Sequence, residues 1–439
     1  MAMSLSQEVV RTEEAILSSG LSTQRTFLGL NSVLWRLAIV TGVAQLSVSI
    51  WVWQFAITLE TFLLPIQIGA TFAVGSLAAL IGYPISGVLA DQIGRKNTLV
   101  LSFIPQIAGI FLLFLFPVWP LVLVAYGLQS FGWSFVLVIS RAMPADEIDS
   151  DSGTEATRKM TMVLMPSFVV DGISPLLAVL LLYLGMQSQS FLLIGALAAI
   201  LAMIFSATKL QETYVPPPEE EVKIPLIITL RSLGRSFWKF TTAMIGFYLA
   251  WGMAIPYLGI LSINDWGVSL QLYGFTSSAF SLASVSLMYT LSGAAGKRTK
   301  SSLVLSLVAN SVIMTVLGLG SDAWLFVVIN MIWAAPFILW IATEVILTIN
   351  GVPTHMKGRA LGIFQLAVST SSLIAAPIGA YIWTYSGSLR FLWVLSGVLA
   401  ISFTSVAWWV LKRVKIRSAI KKAKFTHVNE TISPTYHEV

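Results

Sequence analysis

Asp171 stands about 12 residues into an apolar stretch of roughly residues 159–185. An ionised carboxylate at that depth in a hydrocarbon layer costs about 3 kcal/mol or more. An acid there is expected either to exchange a proton or a cation, or to be held by hydrogen bonds that fix helix packing. Arg141 and Glu344 lie near the ends of two other apolar stretches, and Arg158 and Lys159 open the one that holds Asp171. Charges so placed suit ion pairs that form and part as a gate. Four apolar stretches carry a different kind of chemistry. Ser47, Trp51, Gln54 and Thr58 form one stripe at helical spacing, and Tyr126, Gln129 and Trp133 a second. Tyr248 and Trp251 form a third, and Asn330, Trp333, Phe337 and Trp340 a fourth. Indole faces with amide and hydroxyl groups suit a neutral polar solute, such as a sugar or similar metabolite, or an amphiphile. A strongly anionic solute would call for Arg or Lys, and the stripes hold neither.

Other chemistries find little support. Asp146, Glu147, Asp149, Asp151 and Glu155 form the one acidic cluster, with no histidine nearby and no nucleotide-binding motif. They read as a solvated loop rather than as the catalytic face of a membrane-embedded transferase. Cysteine is absent, and His355, His427 and His437 show no metal-ligand spacing. Neither a metal nor a cofactor is expected. No triphosphate-binding loop and no repeated filter-like sequence occurs, which counts against a pump and a channel.

The elements that must position these residues follow from composition. The 439 residues are 56% hydrophobic and only 10% charged, against about 25% charged in a soluble domain. Each membrane span needs roughly 20 apolar residues, and twelve such stretches can be drawn, from roughly 34–57 to roughly 390–411. The net charge of +6 does not point to nucleic acid, because its distribution is one-sided. With the N-terminus placed inside, every Lys and Arg except Arg390 falls on the inner side. This is the positive-inside pattern, and it places both termini in the cytoplasm of a multi-pass cell-membrane protein. Residues 1–31 read as a cytoplasmic tail rather than a cleaved signal peptide. Residues 209–237, with Pro216–Pro218 followed by Glu219–Glu221, cannot continue a span and read as a central cytoplasmic loop. Residues 412–439 begin with a basic run that is expected to touch anionic lipid headgroups.

The connection between the second and third stretches is the most specific motif. It runs Gly87-Val-Leu-Ala-Asp91-Gln-Ile-Gly94-Arg95-Lys96. Gly94 can take the positive φ of a tight reversal, and Gly87 is expected to let helix ends approach. Asp91 is placed to meet the basic pair or a neighbouring helix N-terminus. This spacing at this place resembles the signature loop of the major facilitator superfamily. The two halves also resemble one another. Ser86-Gly87 ends the second stretch and Ser292-Gly293 the eighth, while Pro175 and Pro377 occupy similar places in the fifth and eleventh.

That resemblance implies an all-α polytopic membrane protein, with 12 transmembrane helices in two pseudo-symmetric six-helix bundles at residues 32–208 and 238–411. It implies a secondary transporter, not an enzyme, working by alternating access and open to proton coupling. Spans one, four, seven and ten are then expected to line a central cavity, which puts the four stripes around one small-molecule substrate. Members similar to drug antiporters carry an arginine where this chain has Tyr126, three residues before Gln129. Sugar porters carry acids at the inner ends of spans four and ten, where this chain has Arg141 and Glu344. A polyspecific drug or amphiphile efflux carrier is the alternative. The expected partners are a small-molecule substrate, a proton or cation, and membrane lipid, and the expected state is a monomer.

Overall fold

The computed structural model describes residues 30–148, 153–214, 233–297, 299–349 and 357–413. Most of the expected N-terminal tail, central loop and C-terminal tail lie outside those residues, as do all three histidines. The described chain is helical from span to span.

Span one is Ser32–Val52 continued by Phe55–Glu60, span two Pro65–Ile93, span three Arg95–Leu115 and span four Leu121–Ile148. Gly153–Tyr183 and Ser190–Lys209 are spans five and six. Span seven is Arg235–Ala254 continued through a 3-10 turn into Leu258–Asn264. Leu270–Lys297, Thr299–Leu319, Ala323–Ile349, Lys357–Ser386 and Leu389–Arg413 complete the twelve. Eleven of these, all but the eighth, meet the length and apolarity needed to cross a bilayer among the described residues. The protein is therefore a multi-pass membrane protein.

Local chemistry sets the ends. Asn31 caps span one by accepting from the Leu34 amide at 2.9 Å, which satisfies one of the amides a helix start leaves free. Pro65 opens span two, where its missing N–H costs nothing. Gly94 has φ +91° and is the single residue that links spans two and three. An L side chain would be strained there.

The packing repeats between halves. Spans one–five, one–six, two–four, three–four and three–six pair in the first half, and seven–eleven, seven–twelve, eight–ten, nine–ten and nine–twelve pair correspondingly in the second. Across the halves, span two packs on eleven and span five on eight. Small residues allow the closest of these approaches. A methyl on Gly109 of span three would overlap the backbone of Ala125 and Gln129 on span four, and one on Gly132 would overlap Ser102 and Gln106 in return.

The halves do not meet evenly. At the side away from the termini, one buried core runs through both, from Ile50, Phe55 and Leu59 to Tyr257, Ile260 and Trp266. Toward the side carrying the termini, each half closes on its own core. Leu37, Phe103 and Met143 belong to the first half's core, and Phe240, Phe247 and Phe364 to the second's. Among the described residues, the buried core is shared between the halves on the far side and divided between them on the terminal side.

Candidate substrate site

Spans one and seven both break near the far side. Span one kinks at Trp53 and Gln54 without proline or glycine, and span seven at Ile255-Pro256-Tyr257. Irregular backbone at membrane depth is tolerated where protein buries it. The short helix Phe55–Glu60 and its counterpart Leu258–Asn264 then lie against each other in the seal.

On the second half, the rings of spans seven and ten fill the gap between them. Trp251 sits 5.4 Å from Trp333, 6.1 Å from Phe337 and 5.1 Å from Trp340, centroid to centroid. Phe280 of span eight joins at 5.4 Å from Phe337. Trp251 and Phe337 are half-buried and touch both the shared far-side core and the second half's own core. The wall therefore stands where the shared core gives way to the second half's own core. Glu344 is part of it. Its carboxylate is 7% exposed and accepts from Trp340 Nε1 at 2.7 Å and from Tyr248 Oη at 2.9 and 3.0 Å. The uncharged wall expected from the sequence thus contains a carboxylate.

Asp171 occupies a different junction. Its Oδ1 accepts from Ser49 Oγ at 2.5 Å and Gln45 Nε2 at 3.1 Å, both on span one. Its Oδ2 lies 3.5 Å from Ser281 Oγ on span eight of the other half. The acid is half-buried where spans one, five and eight meet. Gln45 and Ser49 were not singled out from the sequence, although their spacing of four puts them on one helical face.

The remaining stripe residues separate. Ser47 accepts from Gln106 of span three at 2.7 Å, Trp51 Nε1 donates to Ser47 O at 2.8 Å, and Gln54 Nε2 donates to Ser188 O at 3.1 Å. These three side chains look into the first half, toward spans three and six. Gln129 is buried beside Ser130 at 3.4 Å. Tyr126 stacks on Phe55 at 4.8 Å, and half-buried Trp133 packs on the first half's own core. Asn330 is buried and donates to Phe326 O at 2.9 Å. Trp333 Nε1 donates to Asn310 Oδ1 of span nine at 2.7 Å. The structure therefore brings together Tyr248, Trp251, Trp333, Phe337 and Trp340, and sets Ser47, Trp51 and Gln54 apart from them.

The charged residues also rearrange. Arg141 is exposed, and among the described residues it makes no ion pair with Glu344 in this conformation. Lys159 is half-buried, and the Arg158 side chain lies outside the described residues. The signature loop is built around Arg95, which reaches Asp91 at 3.3 Å and Asp146 of span four at 3.1 Å, with its guanidinium over the Tyr214 ring. Glu212, just past span six, accepts from the Arg95 and Lys96 amides at 2.8 and 3.1 Å and so caps span three. Gly87 corrects the expectation of a close approach: nothing lies within 4 Å of where its Cβ would stand. It sits beside Val88, which is 55% exposed near the terminal-side end of span two.

Comparison with known proteins agrees with this architecture. A variant of the nucleoside transporter NupG superposes with a TM-score of 0.73 at 14% identity, covering 86% of this chain and 99% of that one. The peptide transporter POT in complex with sulfate gives 0.70 at 14%, covering 89% and 96%. The human organic anion transporter MFSD10 gives 0.60 at 12%, covering 86% and 99%. No curated protein sequence matches the chain. The sequence profile of the Major Facilitator Superfamily matches residues 37–343, and the chain belongs to that family of transporters.

Proposed function

We propose that the protein is a secondary carrier that moves a small organic solute by alternating access, with its terminal side in the cytoplasm. One observation carries this reading. The aromatic wall with Glu344 stands where the shared core ends and the two halves part. A solute entering from the parted side reaches indole and phenyl faces first, then a carboxylate that accepts hydrogen bonds. Hydroxyl-rich metabolites match both, since their C–H faces stack on rings and their O–H groups donate. Glu344 changes the expectation of a neutral site to one that also favours donors. A second reading, an efflux carrier for amphiphiles, is supported by the half-buried faces of Tyr248, Trp251 and Phe337. Asp171 is the proposed coupling acid, because its carboxylate, on span five, accepts from Gln45 and Ser49 of span one and meets Ser281 of the other half.

Uptake into proteoliposomes across a panel of polyols, amines and flat amphiphiles, with and without a pH gradient, tests this. Accumulation of a polyol that stops when the gradient is removed is the expected result. Absence of uptake and exchange for every class would overturn the carrier reading.

A further inference from the structure

The side chains that reach the Asp171 carboxylate are all neutral, and each carries an oxygen. Ser49 and Gln45 of span one meet Oδ1 at 2.5 and 3.1 Å, and Ser281 of span eight lies 3.5 Å from Oδ2. Gln45 Nε2 also donates to Ser49 Oγ at 2.8 Å, which knits the set together. Among the described residues no Lys or Arg pairs with this carboxylate. Asp171, Gln45 and Ser281 are half-buried and keep accessible surface, while Ser49 is buried behind them.

The backbone changes at the same level. Pro175 lies inside span five and has no N–H, so the helical bond that would end on the Asp171 carbonyl is missing. One residue on, the Leu176 amide donates across the halves to Ser278 Oγ of span eight at 3.0 Å. Spans five and eight are close here, since a methyl on Gly172 would come within 2.7 Å of the Leu282 side chain.

These neighbours select a ligand class. A carboxylate without a cationic partner is costly at membrane depth, and a bound cation removes that cost. Hydroxyl, amide and carboxylate oxygens are hard donors, which favour an alkali or alkaline-earth ion over a transition metal. Each hydroxyl has lone pairs to turn toward a cation, and the Gln45 amide turned over presents its carbonyl. One carboxylate balances one positive charge. No group of three or more His, Cys, Asp or Glu gathers among the described residues to hold a metal of higher charge. The tight contact of spans five and eight favours a small ion over an organic ammonium.

We propose that sodium can take the place of the proton at Asp171, held by its carboxylate with Ser49 and Gln45 of one half and Ser281 of the other. This rests on Asp171 as the coupling acid. Ser281 belongs to the second half, so the ligand set is complete only in arrangements that keep span eight beside span five. Sodium favours those arrangements, and this difference in affinity is what lets an ion bias a rocking carrier.

The test uses the full-length protein in detergent, in choline buffer, with radioactive sodium as the probe. Saturable binding that excess lithium displaces and choline does not is the expected result. Asp171→Asn removes it, and Ser281→Ala, which keeps the acid, weakens it severalfold; Ser49→Ala serves should either variant misfold. Absence of saturable binding, or binding that all three variants retain unchanged, overturns the sodium site. In proteoliposomes at equal pH, a sodium gradient then drives accumulation of the polyol that a pH gradient drives. Accumulation under the pH gradient alone overturns sodium and leaves Asp171 as a proton site. Sodium binding that depends on Asp171, beside full accumulation by Asp171→Asn, leaves the site and overturns the coupling reading instead.

Discussion

Asn264 on span seven donates to the Glu60 carboxylate on span one at 2.7 Å, and this bond ties the two halves at the sealed side. Beneath it, Ile50, Leu59, Tyr257 and Ile260 form one continuous core. Asn264→Ala removes the bond and leaves the core. A partly solvated hydrogen bond is worth about 1 kcal/mol, so far-side labelling of Ile260→Cys should rise roughly fivefold. Labelling at the native rate would show that the seal rests on apolar contact alone.

Asp171→Asn is expected to abolish accumulation against a gradient while exchange down a gradient persists. The amide keeps much of the bonding to Ser49, Gln45 and Ser281, so packing is largely preserved. What it loses is the ability to carry a charge or a proton. Counterflow and gradient-driven uptake, measured side by side in proteoliposomes, separate the two effects. Full accumulation by the variant removes Asp171 from coupling.

In this conformation Glu344 is held by Tyr248 and Trp340, and Arg141 is exposed. When the terminal side closes, the proposed gate brings Arg141 and Glu344 together. An exposed pair contributes about 1 kcal/mol, enough to shift a balanced equilibrium severalfold. Glu344→Gln should therefore favour the conformation open to the terminal side, seen as faster terminal-side labelling of a cysteine placed at Phe337. The double exchange Arg141→Glu with Glu344→Arg should recover part of the native balance. If the exchange behaves like the sum of its single variants, the pair does not form.

Glu212 caps span three through the amides of Arg95 and Lys96. A carboxylate on a helix N-terminus satisfies free amides and meets the positive end of the helix dipole. Glu212→Ala should cost about 1 kcal/mol, which speeds hydrogen exchange at those two amides by roughly fivefold. Transport should fall less than for Arg95→Ala, because Arg95 also holds Asp91 and Asp146. Protection unchanged at both amides would show that the cap is not formed in solution.

The spans were legible in the sequence because a bilayer leaves the backbone few options. Each crossing must satisfy its own amides and carbonyls, so apolar length marks it, and among the described residues does so for every span but the eighth. The turn between spans two and three rests on local chemistry too: Gly94 is its single linking residue, and the positive φ there favours glycine. Rotation of each helix was not local. Span one carries two polar faces, Gln45 with Ser49 and Ser47 with Trp51 and Gln54, and both fit a helical stripe. Which face meets Asp171 and which enters the first half was decided by packing against spans five, three and six. The break at Trp53 has no proline or glycine to announce it, and the short helix after it packs on the one that follows the break in span seven. Glu344 shows the same limit. Its charge was evident in the chain, but its partners were chosen by how spans seven and ten face each other.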